Sequence, residues 1–419
     1  MGLAEIRDDG FILKIRDLFR RIYGCDLEFA LNPDGVCNDA FFIRTINYNA
    51  CMVPWIESVF PLNGKSVVEI GCGSGAATLA MAEKCAHIDS FDIDPVSLDV
   101  ARERASFVGA KNVSFHLLNP DWALPDRIAD FRKRVPNKCD VVLLPAVLEH
   151  LRMDERLAVL ETTWSILRSR GVMVVYDTPS RLYAYDVHSF QLPFFNWLPD
   201  DLALLYASHS PRTEFPRILA NATSPMETLY RLGRGVSYHE FDLSIGLSEF
   251  EVINDGYSHF LKHREISSAF EGMLLHMFER YCPQVPPGFS KQYLEMVLQK
   301  KWQKIGLVRR HLVSDHLLEG KRPALVLEGE DAYLEYSSEA GGYRKAMLEV
   351  LKHPWSSVLV ICDEADRPFH RKDLYSGYAV TEIIEVPLPE NVRNFRVRVT
   401  KHPKSLGNQA WILGAGADL

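Results

Sequence analysis

Five short apolar runs, each followed by a stretch with helical spacing, organise residues 65–179. Ser66-Val67-Val68-Glu69-Ile70, Ile88–Ile93, Val113–Leu117, Asp140–Pro145 and Gly171–Tyr176 read as strands. They recur at roughly 20–30 residues per unit, the rhythm of a parallel doubly wound α/β sheet. Phe250–Gly256 reads as a sixth strand. Residues 264–318 are helical in pattern, broken at Pro283, Pro286 and Pro287, and predict an insertion before a seventh strand at Pro323–Glu328. Ahead of the sheet, Phe11, Leu13, Ile15, Leu18, Phe19 and Ile22 have helical spacing, so residues 1–64 are expected to form a helical lid or flank. After 330 the runs Ser357–Ile361, Val380–Val386 and Phe395–Val399 are β-like. The expected organisation is a Rossmann-like α/β domain over 65–330, with a small, mainly β accessory domain over 331–419.

Ligands in open α/β sheets bind beyond the carboxyl ends of the strands. At the end of the first strand lies Gly71-Cys72-Gly73-Ser74-Gly75-Ala76. Glycines at alternate positions let the backbone turn sharply and approach a ligand at the next helix N-terminus. The loop satisfies the dinucleotide pattern as Gly71-x-Gly73-x-x-Ala76, and equally reads as Glu69-x-Gly71-x-Gly73-x-Gly75. Asp92 closes the second strand, where a carboxylate accepts both ribose hydroxyls of an adenosine. Asn119 and Asp121 follow the third strand, within reach of an adenine amino group. Glu149-His150 follows the fourth and Asp177 ends the fifth.

The run from Glu69 to Pro179 resembles the class I S-adenosylmethionine (SAM)-dependent methyltransferases. It is most similar to the branch that carries Val147-Leu148-Glu149-His150 after strand four and Thr178-Pro179-x-Arg181 after strand five, which includes ubiquinone-type O-methyltransferases. The resemblance implies a seven-stranded sheet with SAM as cofactor. It implies contact of Glu69, Gly71, Gly73 and Gly75 with the methionine side, Asp92 on the ribose and Ile93 against the adenine. Cys72 reads as a small residue that fits the loop.

SAM presents an electrophilic methyl group, so the protein must align a nucleophile and exclude water. A hydroxyl acceptor also needs a base or a metal. In the similar branch a further Glu three residues before the Glu-His pair helps bind a divalent ion. That position is Ala146 here, so no metal is expected. The candidate catalytic groups are Glu149, His150, His188 with Asp186 to orient it, and His239. Tyr183, Tyr185, Phe190, Phe194, Phe195 and Trp197 make residues 180–212 a candidate aromatic loop over an acceptor pocket.

Composition narrows the partners. The chain has 419 residues, 47% of them hydrophobic and 24% charged, with net charge −8. That acidic balance argues against a nucleic-acid partner. No apolar run is long enough for a membrane span, and no signal-peptide pattern opens the chain. The eight cysteines include no C-x-x-C pair, which suggests a reduced, cytoplasmic protein. The expected function is methyl transfer from SAM to an oxygen of a small molecule of the sugar or phenol class. N-methylation and a SAM-binding scaffold are the competing readings.

Overall fold

The structure, a computed structural model, describes residues 44–45, 47–135, 138–255, 268–301, 303–318, 322–337, 345–389, 392 and 394–418. The helical pattern at Phe11–Ile22 lies outside the described residues. The chain divides into two compact units, Met1–Lys300 and Lys301–Leu419.

The first unit is built on a seven-stranded sheet. Its strands are β1 (Ser66–Ile70), β2 (His87–Asp92), β3 (Val113–Leu117), β4 (Cys139–Pro145), β5 (Leu167–Pro179), β6 (Phe250–Asn254) and β7 (Tyr293–Lys300). The order is β3-β2-β1-β4-β5-β7-β6. Neighbours from β3 through β5 pair in parallel, while β7 runs antiparallel to both β5 and β6. Alternate residues feed two cores. Val67, Val141, Leu143, Val172 and Val174 pack with Met52, Val53 and Ile56 of the N-terminal helical segment. Val68, Val142, Leu144, Met173 and Val175 pack with Leu160 and Trp164 of the helix Met153–Ile166. Apolar residues on both faces explain why the central strands read as continuous apolar runs.

The seventh strand is not Pro323–Glu328 but Tyr293–Lys300. Its Leu, Glu, Met, Gln and Lys favour helices when exposed. Burial of Leu294, Met296, Val297 and Leu298 between β5 and β6 overrides that preference. The predicted helical insertion over 264–318 therefore shrinks, among the described residues, to one helix, Ala269–Tyr281, and a short 3₁₀ turn at Pro287–Ser290. The boundary between units falls after Lys300 rather than at 330.

Arg322–Glu328 is a strand, but of the second unit. That unit holds a six-stranded and a five-stranded sheet, which share one core including Leu327, Leu334, Leu348, Val350, Ile361 and Val397. Its described part is thus a two-sheet β sandwich, and the runs read as β after 330 are strands within it.

Residues 180–245 also differ from an open aromatic loop. Phe190 and Phe195 are fully buried, in a small core with Leu192, Ala203, Leu219 and Leu229. Tyr185, Phe194 and Trp197 are exposed. This cap is pinned by buried arginines. Arg234 donates to the carbonyls of Phe195 and Leu198 and pairs with Asp200. Arg156 pairs with Glu240 at 2.8 Å and donates to the carbonyls of Leu151, Arg234 and Gly235.

Candidate active site

The glycine loop leaves β1 through positive φ at Gly71, Gly73 and Gly75. At Gly71 a β-carbon would stand 2.3 Å from Val147 Cγ2, so glycine is required for the loop to pass the chain leaving β4. At Gly73 the same added carbon would meet nothing within 4 Å, which marks open space over the loop. The Gly73 N–H donates to Asp92 Oδ2 at 2.6 Å and the Asp94 N–H to Asp92 Oδ1 at 2.9 Å. Asp92 therefore braces the loop with part of its acceptor capacity, and burial raises its pKa. Ile93 beside it is half-buried, Asn119 turns the chain by accepting the Asp121 N–H, and Asp121 is exposed. Cys72 is buried, and burial holds its thiol protonated.

Glu69 is sealed in the sheet. One carboxylate oxygen accepts from Thr78 at 2.5 Å and Ser90 at 2.8 Å. The other is buried with no partner, and desolvation pushes the group up to about 7. A buried acceptor with no donor is costly. Together with the space above Gly73, it suits a ligand that brings its own N–H donor, as the amino-acid end of SAM does.

A second cluster lies beyond β4. The chain leaves β4 through Ala146, at φ 49°, into the 3₁₀ turn Leu148–His150. The Glu149 carbonyl accepts from the Arg234 N–H. His150 Nδ1 lies 2.8 Å from the Arg231 carbonyl, so that nitrogen carries the proton and Nε2 presents a lone pair. Nε2 lies 3.8 Å from Glu149 Oε1. Both Glu149 oxygens are buried without partners. Burial, reinforced by Asp177, pushes Glu149 up to about 8. His188 joins from the loop after β5, its ring centroid 5.2 Å from that of His150. Burial and the neighbouring His150 push His188 down to about 4, and burial lowers His150 as well. Both imidazoles are thus neutral at pH 7. One ligand atom from each of Glu149, His150 and His188 lies within 4.8 Å of the others. The Ala146 substitution alone argued against a metal, but His188 supplies a third group from a distant part of the chain. The set suits a divalent ion that accepts imidazole and carboxylate.

Two sequence expectations are corrected here. Asp186 does not orient the His188 ring. Its carboxylate accepts the backbone N–H groups of His188, Ser189 and Phe190 and the Ser189 hydroxyl, shaping the turn that presents His188. His239 stands apart from the cluster, exposed at the start of the helix Tyr238–Ser244, stacked on Tyr238 and 3.0 Å from Ser237 Oγ.

The sequence reading did not single out Tyr48, Gly233 or Arg104. Tyr48 is buried and close enough to Asp177, Glu69 and Glu149 for their charges to raise its pKa further. Gly233 has φ 110°, and an added β-carbon would strike the His188 ring at 2.7 Å. Arg104 is buried, donates to Ser74 of the glycine loop and to Thr45 of the N-terminal segment, and so couples the two. The Gly233-Arg234-Gly235 triplet was a visible signal, but its partners were not.

Residues 68–173 match the family described as a methyltransferase domain. The first unit thus carries a domain similar to the class I SAM-dependent methyltransferases. The dinucleotide reading of the glycine loop falls with that match, and SAM is the cofactor of the family. The chain is 30% identical over 103 residues to a ubiquinone biosynthesis O-methyltransferase of Thiobacillus denitrificans, covering 25% of this chain and 40% of that protein. It is 31% identical over 136 residues to the Stutzerimonas stutzeri protein of the same name, covering 32% and 52%. The chain thus spans about half or less of the length of these curated relatives. Among solved structures it resembles magnesium protoporphyrin IX methyltransferase from Synechocystis with bound S-adenosylhomocysteine (SAH), at 18% identity and TM-score 0.35, covering 60% of this chain and 91% of that one. Among the described residues no helix is long and apolar enough to cross a membrane.

Proposed function

We propose that the first unit transfers the methyl group of SAM to a hydroxyl oxygen of a small phenol- or sugar-class acceptor, with Glu149, His150 and His188 holding that hydroxyl. The supporting observation is Glu149, a fully buried carboxyl with both oxygens unpartnered. It lies two residues beyond Val147, the side chain that touches the glycine loop at Gly71. Glu69, Gly71, Gly73, Gly75, Asp92 and Ile93 are proposed for the cofactor, with Asn119 and Asp121 near the adenine. The similarity to ubiquinone biosynthesis O-methyltransferases supports a hydroxyl acceptor.

Glu149, at about 8, is matched to remove a proton from a phenol-like hydroxyl near neutral pH. His188, at about 4, is a weak base, which favours a lone-pair role over proton abstraction. A divalent ion held by Glu149, His150 and His188 would act as a Lewis acid on the hydroxyl. With or without it, the chain's own residues fix the geometry: the Arg231 carbonyl aims His150, Gly233 admits His188, and the Asp186 turn presents it.

The test is SAH release from purified protein against a panel of catechols, phenols and sugars, with and without EDTA and Mn²⁺ add-back. Turnover lost in Glu149→Gln with SAM affinity retained is the expected result. Turnover that survives Glu149→Gln removes the cluster from the chemistry, and amine acceptors outpacing hydroxyls would replace the oxygen by nitrogen.

A further inference from the structure

Among its described residues the second unit contains a cavity of about 630 Å³. It lies at one edge of the sandwich. Asp315, Leu317, Leu325 and Ile412 line it from one sheet, and Leu307 and Tyr336 from the other. The strands Gly306–His311 and Val313–Leu318 are edge strands of the two different sheets. They are joined at Leu312, which has φ 51°. Deeper in the same sandwich, Leu334, Leu348, Leu359, Phe395 and Val397 are completely sealed. At this edge, by contrast, Leu307 and Leu317 remain 42% and 61% exposed.

The polar groups around the cavity are mostly engaged. Asp315 pairs with Arg310 through both oxygens, at 3.0 and 2.9 Å. His316 contacts Ser314 Oγ at 3.1 Å and lies against the Trp411 ring. Tyr336 is the exception. Only 4% of it is exposed, it lines the cavity, and its hydroxyl has no hydrogen-bond partner among the described residues. Burial keeps that phenol protonated and so a donor. The Tyr336 hydroxyl is thus a donor left for a ligand, and a cavity of this size with largely apolar walls and few polar groups has the make-up of a small-molecule site.

We propose that the β sandwich binds a neutral, largely apolar small molecule carrying a hydrogen-bond-accepting oxygen, with the apolar body between Leu307, Leu317, Leu325 and Ile412 and the oxygen on the Tyr336 hydroxyl. The lining residues all belong to the second unit, and the proposal does not depend on the function proposed for the first. The full-length protein is titrated with N-phenyl-1-naphthylamine, whose fluorescence rises in an apolar pocket, and the probe is then competed with decan-1-ol or maltoheptaose. One saturable site displaced by decanol is expected. Ala415 also lines the cavity, and Ala415→Trp should fill it and weaken the probe at least about tenfold. Tyr336→Phe preserves shape; it should leave the probe unchanged and weaken decanol about fivefold. SAM binding should be unaltered in both variants. Absence of saturable binding, probe and decanol affinities unchanged in Tyr336→Phe, or displacement by maltoheptaose and not decanol, each overturns the proposal. If Ala415→Trp does not fold, Tyr336→Phe decides alone.

Discussion

Glu149 offers a test that needs no acceptor. Its carboxyl ordinarily titrates near 4.5 and in the fold near 8. Between those values the folded protein holds a proton that the unfolded chain has released, so folding stability falls as pH rises through this window. The slope for one group is about 1.4 kcal/mol per pH unit. Other groups titrate nearby. Glu69 loses stability in the same direction up to about 7. His150 and His188, whose pKa values are lowered, add stability as pH rises toward 6.5 and are then silent. Comparing the wild type with Glu149→Gln cancels these. Gln is nearly isosteric with the protonated acid and does not ionise. Raising the pH from 6.5 to 8 in EDTA should therefore cost the wild type about 1.6 kcal/mol relative to the variant, the slope flattening as the group itself titrates near 8. The measurement is urea unfolding at several pH values, followed by the fluorescence of the buried Trp55 and Trp164. Mn²⁺ should shrink or invert the difference, because a bound cation favours the ionised carboxylate. A pH-independent difference between the two proteins would mean that Glu149 is ionised throughout and would refute the buried-acid argument.

Three further substitutions probe the frame. Asp92→Ala should weaken SAM by about 1.5–3 kcal/mol, the range for a hydrogen bond to a charged group, and calorimetric titration reads it directly; unchanged affinity would take Asp92 off the ribose. Gly73→Arg places a long side chain in the open space above the loop, and should abolish SAM binding while the circular dichroism spectrum stays wild-type. Arg156→Met breaks a buried ion pair and leaves Glu240 without its cation, so a loss of about 3–5 kcal/mol is expected; a loss below 1 kcal/mol by denaturant unfolding would show that the cap does not rely on that arginine.

What could be read in the sequence, and what could not, divides along a physical line. β1 through β5 and the glycine loop were legible because their requirements are local: apolar faces at alternate positions and residues that tolerate positive φ. The seventh strand was not, because Leu, Glu, Met and Gln take their strand conformation from burial between β5 and β6 rather than from their own preferences. Asp186 was misassigned for a related reason. A short carboxylate finds its own backbone N–H groups two to four residues on before it reaches a ring, and spacing alone does not distinguish the two. Ala146 is the sharpest case. Reading along the chain, the lost carboxylate looks like a lost site. In the fold, His188 arrives beside Glu149 and His150, admitted by a glycine at 233 and presented by the Asp186 turn. A ligand set is a property of the space around an atom, so a substitution within a motif lowers the number of ligands only when no distant segment replaces the missing one. Here His188, from a distant segment, brings a third candidate group within 4.8 Å of the other two, which makes the chelator experiment informative even though the motif itself is incomplete.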